Sequence, residues 1–217
     1  MKKLSLFAAT LSLFAASAHA EDKVPLVLQF PRPLLVGTPV PIKLPNLETA
    51  RVGPRPEFLV PAGTTNLALN KTVTGSDSEP LLGDLSLLTD GDKNGEEGSY
   101  TEFGPGKQWV QIDLGATHPI HALAVWRFHS QARAYKAIVV QISDDAAFKT
   151  GVQTIWNSDL DNANGLGAGK DLVHIETHEG RLMDAKATPG RYVRLYSNGS
   201  TSSDLNHYIE IEVYGTP

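Results

Sequence analysis

Trp109-Val-Gln-Ile-Asp-Leu114 sets Val110, Ile112 and Leu114 against polar neighbours at every second position. That period belongs to a strand with one face in a core and the other in water. Downstream, 120–128 reads as a strand apolar on both faces, and 137–143 (AIVVQIS) as a buried strand closed by a turn at Asp144-Asp145. Further strands are expected over 152–157, 172–177, 191–197 and 208–215. In the last, Ile209, Ile211 and Val213 would face one way and Glu210 and Glu212 the other. Gly, Asn and Asp clusters separate the runs, and no window shows a sustained helical period. The expected class is all-β, a two-sheet jelly-roll sandwich of about eight strands.

Upstream the texture changes twice. Residues 21–63 carry nine of the 14 prolines, a density that forbids a helix or a central strand and favours extended backbone. Leu26, Val27, Leu28, Phe30, Leu34, Leu35 and Val36 are too apolar for a solvated linker, so this arm is expected to pack along the domain. A stiff spacer is the alternative. Residues 1–20 hold Lys2 and Lys3, the apolar run 4–16 and the small-residue site Ser17-Ala-His-Ala20, the pattern of a cleaved signal peptide. The sequence thus divides into a leader (1–20), an arm (21–63) and a domain (64–217), with a secreted, periplasmic or cell-surface location. The mature chain has no segment long and apolar enough to span a membrane.

With 217 residues, 41% of them hydrophobic, the chain has enough apolar surface for a core. It has no cysteine, which excludes disulfides, thiolate metal sites, cysteine nucleophiles and a lipid-carrying Cys. Without the leader, 17 basic residues face 24 acidic ones. Nucleic acid, whose backbone calls for a basic footprint, is therefore not expected as a partner.

Thr65-Asn-Leu-Ala-Leu-Asn-Lys-Thr-Val-Thr74, Leu88-Thr-Asp-Gly-Asp92 and Gln108-Trp-Val-Gln-Ile-Asp-Leu-Gly115 follow one another in a telling order. Val140-Gln-Ile-Ser-Asp-Asp145, Arg191-Tyr-Val-Arg-Leu195 and Ile209-Glu-Ile-Glu-Val-Tyr-Gly215 complete it. In order and spacing the chain from residue 64 onward resembles a discoidin-type (coagulation factor 5/8 type C) domain of the galactose-binding-like superfamily. The resemblance implies a structural calcium site built from the Leu87 carbonyl, the Asp90 side chain, the Asp92 carbonyl and Thr101. The Ile209 carbonyl and Glu210 carboxylate would complete that site. Independently, paired acids around a glycine suit a cation that takes six to eight oxygens, although Asp-Gly also makes plain Asx turns. The acidic stretch 92–97 is longer than the family pattern.

Trp126-Arg-Phe-His-Ser-Gln-Ala-Arg-Ala-Tyr135 offers aromatic faces and hydrogen-bonding groups of the kind that bind sugars. Candidate ligand contacts are His129, Arg133 and Tyr135, with Asn206 and His207 nearby. Arg127 and Arg133 do not match the spacing of the fucose-binding branch. The loop 157–165 faintly echoes a calcium loop but lacks its terminal Glu, and a polar surface loop is the plainer reading. Catalysis finds no motif: His174 and His178 sit on an expected strand, and Glu210 and Glu212 share one solvated strand face. The expectation is a secreted, non-catalytic module for a glycan or cell-surface polysaccharide, with structural Ca2+. The rivals are an envelope adhesion or structural protein, a lipid binder using Leu81-Leu82 as a spike, and, last, a hydrolase.

Overall fold

The expected strands over 109–114 and 120–128 are two halves of one. The computed structural model describes residues 22–35 and 41–217; the leader 1–20 and Val36 lie outside them. The strands are β1 (Lys23–Pro25), β2 (Leu59–Pro61), β3 (Thr65–Asn66), β4 (Val73–Gly75), β5 (Thr101–Phe103) and β6 (Lys107–Trp126). They continue with β7 (Val139–Ser143), β8 (Gln153–Asn157), β9 (Arg181–Asn198), β10 (Asn206–Tyr208) and β11 (Glu210–Gly215). One 3-10 turn, Leu85–Thr89, is the helical element among the described residues.

β6 and β9 run antiparallel along most of their length, in the sheet order β3-β11-β6-β9-β7-β8, and β4 also pairs with β6. Their register breaks between Asp113 and His118 and again between Ile120 and Ala122. The second break sets residues 185–187 of β9 against His121 of β6, with Lys186 and Ala187 at positive φ. Against β11, β6 carries one extra residue at the same place, since Tyr214 pairs with Ala122 and Gly215 with Ile120, and one inserted residue exchanges the faces of everything beyond it. Val110, Ile112, Leu114 and Ile120 point into the main core, and beyond His121 that role passes to Leu123 and Val125. The even-numbered Ala122, Ala124 and Trp126 turn to the opposite face. The main core closes with Val140, Ile142, Val193, Leu195, Ile211 and Val213, all buried.

The opposite face is covered by the arm. Leu26, Leu28 and Phe58 pack on Ala122, Ala124, Trp126, Ile209 and Tyr214. β1 and β2 pair with each other, and Pro25 and Pro61 lie at their ends, where a missing N–H is tolerated. The Arg55 guanidinium donates to the Glu179 and Gly180 carbonyls at 2.9 and 2.8 Å. Gly180 sits at φ +64 with the Trp126 ring so near that a Cβ would come within 2.8 Å of it. Val27 is exposed at 72%, so only alternate residues of this apolar run are engaged.

Three expectations need correction. Residues 172–177 form no strand: Val173 makes a single parallel bridge to Leu47 of the arm, and the Glu176 amide donates to Arg133 O. The backbone groups there are satisfied by a loop and a Pro-rich segment, neither of which offers a continuous ladder. The run 208–215 is divided at Ile209, which packs with Trp126 while Ile211 and Val213 enter the main core. Glu210 and Glu212 are buried rather than solvated, because the arm and the loop at 90–93 close over their face.

Candidate functional site

The loops 90–100, 127–136 and 199–205 meet at one end of the sandwich, where His129 and Ser130 of the second reach the carbonyls of Lys93 and Gly95 of the first. The second and third of these are stitched together. Tyr135 bridges Ser200, the Lys136 amide donates to Gly199 O at 2.9 Å, and the Thr201 amide donates to Ala134 O at 2.9 Å. Asn206 fixes the base: its Oδ1 accepts from the Gly199 amide at 2.8 Å, and its Nδ2 donates to the Gly104 and Gly106 carbonyls.

His129, Arg133, Tyr135 and His207 lie close together, all buried, as supports beneath the surface. His129 Nε2 is 3.0 Å from Lys93 O. Arg133 lies over the Phe128 ring at 4.3 Å and donates to Gln131 Oε1. Arg127 is clasped between Tyr208 and Tyr135, 4.1 and 4.9 Å from their ring centres, and donates to the Tyr208 hydroxyl. His207 Nε2 is 2.8 Å from Glu102 Oε2. Burial, with Arg133 beside it, still holds the His207 imidazole below its ordinary pKa. Burial pushes the Tyr135 phenol up, so it stays neutral. Asn206 serves the loop base and stands apart from this cluster.

What this layer supports is a pair of depressions flanking residues 128–132. One, of about 550 Å³, is lined by Leu34, Gly95, Glu96, Glu97, Tyr100, Phe128 and Ser130. Tyr100 and Phe128 meet edge-to-face at 5.0 Å and 81°, and both are half-buried. The other, of about 930 Å³, runs between Pro41–Leu44 of the arm (41–44) and Gln131, Lys136 and the turn 200–204. Tyr100, Glu96 and Glu97 were not singled out from the sequence. The available signal was an aromatic residue inside an acidic loop.

The calcium residues are drawn together in part. The Gly91 amide donates to Glu210 Oε2 at 3.2 Å, joining the early loop to β11, while buried Glu210 Oε1 has no partner. Burial, with Glu212 and Asp90 adding to it, raises the Glu210 carboxyl to about 9. Glu212 is satisfied: Lys93 Nζ reaches it at 2.7 Å and the Tyr214 hydroxyl donates to it at 2.6 Å. Asp90 and Asp92 make successive Asx turns, accepting from the Asp92 and Asn94 amides. Leu87 lies in the 3-10 turn, Ile209 adjoins Glu210, and the Thr101 hydroxyl donates to Asp84 O at 2.7 Å. Among the described residues no three His, Asp or Glu side chains converge as a metal set, so a cation here would depend on carbonyls. A lone buried carboxylate oxygen beside a second acid fits such a cation, since an unpaired buried charge is costly.

The remaining candidates resolve as structure. The Asp159 carboxylate accepts from the Ala163 and Asn164 amides, both at 2.8 Å, so the 157–165 loop closes on itself. His174 lies 3.2 Å from buried Glu176, and His178 packs edge-on against Phe30 at 6.2 Å. Leu81 and Leu82 are exposed at 60% and 40%.

The family model of the F5/8 type C domain matches residues 72–211. Among solved structures the chain is similar to chitosan-binding module 1 of a chitosanase/glucanase from Paenibacillus sp. IK-5. That match is 23% identical and covers 70% of this chain and 99% of that one, with a TM-score of 0.44. A family 89 glycoside hydrolase from Clostridium perfringens matches at 17% identity over 70% of this chain and 14% of its own, with a TM-score of 0.51. A truncated AlyQ with CBM32 and alginate lyase domains matches at 16% identity over 71% and 34%, again with a TM-score of 0.51. No curated protein matches.

Proposed function

Since the chain belongs to the F5/8 type C (discoidin) domain family, we propose that it is an exported, non-catalytic module that binds carbohydrate at the loop end of its sandwich. The observation that carries this reading is the depression holding Tyr100 and Phe128 between Glu96, Glu97 and Ser130. An aromatic face takes the C–H patch of a sugar ring by dispersion and water release, and carboxylate and hydroxyl groups accept and donate to ring hydroxyls. Arg133, stacked under Phe128, holds that ring in place, so little side-chain freedom is lost on binding. Two of the solved structures this chain is similar to are a glycoside hydrolase and a protein with CBM32 and alginate lyase domains, in keeping with this ligand class.

In the same reading one calcium ion joins Asp90 and Glu210 through their carboxylates, with the carbonyls of Leu87, Asp92 and Ile209 and with Thr101 around it. The ion would neutralise Glu210 and tie the 90–92 loop to β11. Glu210 itself holds that loop against the start of the last strand by accepting from the Gly91 amide.

Titration calorimetry of the full chain against a panel of oligosaccharides, with calcium and with chelator, tests the assignment. At least one sugar should bind, and Tyr100→Ala should weaken it about tenfold or more, a loss of roughly 1.4 kcal/mol, while the protein stays folded with a melting temperature lowered only by the packing Tyr100 makes on the Trp126 cluster. Absence of binding across neutral, amino and acidic sugars would overturn the carbohydrate reading.

A further inference from the structure

The larger groove has a wall that the family domain does not supply. One side is built by Gln131, Lys136 and the turn at 200–204; the other is residues 41–44 of the arm, ahead of the family match that starts at residue 72. That wall is held in place just downstream. Leu47 bridges Val173, and Asn46 Nδ2 donates to the carbonyls of Ser158 and Asp171 at 3.0 and 3.3 Å. The groove's volume, about 930 Å³, suits a ligand of several sugar rings.

Its charge is the informative part. Lys43 from the arm and Lys136 from the sandwich line it against the single acid Asp204, in a chain of net charge −5. Among the described residues, neither lysine ammonium has a hydrogen-bond or ion-pair partner. The neighbouring depression carries Glu96 and Glu97 instead. Gln131 accepts from Arg133 through Oε1, which leaves its NH₂ group as a donor for the groove.

We propose that this groove binds an anionic oligosaccharide, with Lys43 and Lys136 taking its acidic groups, so that the arm is part of the binding site as well as a cover for the sheet. The proposal rests on the carbohydrate reading above and narrows it to a ligand class. An ammonium is a compact point charge that serves a carboxylate or a sulfate equally, so the shared chemistry is a negatively charged sugar unit. The walls come from segments separated in sequence. Binding therefore depends on the arm's seat at Val173 as well as on the loops.

The test uses the full chain and length-matched neutral, carboxylated and sulfated oligosaccharides, at low and at high salt. One or both anionic series should bind more tightly than the neutral one, and should weaken as salt screens the two lysines. Lys43→Glu and Lys136→Glu should each lower anionic affinity about tenfold or more while leaving neutral-sugar binding and the melting temperature unchanged. Lys149→Glu, at an exposed lysine on the β7–β8 connection, should change nothing. If neutral and anionic series bind alike, or Lys43→Glu leaves anionic affinity intact while Tyr100→Ala weakens binding, the groove assignment falls and the carbohydrate reading stands. If no saccharide of any kind binds, both fall.

Discussion

Glu210 places a carboxylate at the start of β11 with one oxygen on the Gly91 amide and the other without a partner. An ion bound only by the folded state stabilises it by RT ln(1 + [L]/Kd), about 2.7 kcal/mol at a hundredfold excess over Kd. Chelation should therefore lower the melting temperature and calcium restore it, and Glu210→Gln or Asp90→Asn should erase the difference. Identical wild-type melting in chelator and in millimolar calcium would sink the calcium assignment. Asp113 gives a second, pH-dependent case. The two Arg191 N–H bonds, at 2.7 and 2.8 Å, hold its carboxyl below the ordinary value, helped by the Gly115 amide. A depressed carboxyl contributes stability above its unfolded pKa of about 3.9, and loses it as pH falls through the folded value. Both side chains are partly exposed, so the contribution is small. Asp113→Asn should cost no more than a few degrees of melting temperature at neutral pH, and the gap to wild type should close near pH 2. A gap that persists in acid would assign the effect to packing.

At the scale of elements, the arm and the sheet face beneath it form one unit. Phe58 is half-buried against the Trp126 and Tyr214 cluster, and Phe58→Ala should cost about 2 kcal/mol, below the fully buried range. Equilibrium denaturation would read this as a lower midpoint with a similar slope. Deleting residues 22–61 removes Leu26, Leu28 and Phe58 together and uncovers Trp126, Ile209 and Tyr214. At roughly 2–4 °C per kcal/mol for a domain of this size, the melting temperature should fall by several degrees at least. An unchanged curve would reduce the arm to a spacer.

For the whole molecule, the leader pattern sets a simple expectation. The exported protein should have the intact mass of a chain beginning at Glu21, without Lys2 and Lys3, and a formal charge of −7 from 17 basic and 24 acidic residues. Soluble extracellular protein that retains Met1 would contradict cleavage. Such a charge keeps the surface soluble and disfavours anionic membranes, which makes the positive groove beside Lys43 and Lys136 stand out against the rest.

The local pattern was enough to determine the all-β class, the Val110–Leu114 alternation and a buried strand over 137–143, of which 139–143 forms β7, while the meeting of Asp90's loop with Glu210 was implied by the family resemblance carried on ordered motifs. Those features follow from side-chain period and ordered motifs, which are written along the chain. Whether a face is wet or dry is not local. The apolar Ala122, Ala124 and Trp126 could be read as buried, but not as buried by Leu26, Leu28 and Phe58, nor could Glu212 be seen to share that cover. His129, Arg133, Tyr135 and His207 were legible as a cluster of chemistry, yet their depth was not. Only the tertiary structure sets them under Phe128 and Tyr100, because burial depends on what distant segments lay over a residue. For the same reason the groove wall at 41–44 had no trace in the sequence: it exists only where Leu47 meets Val173, and that contact is made by folding.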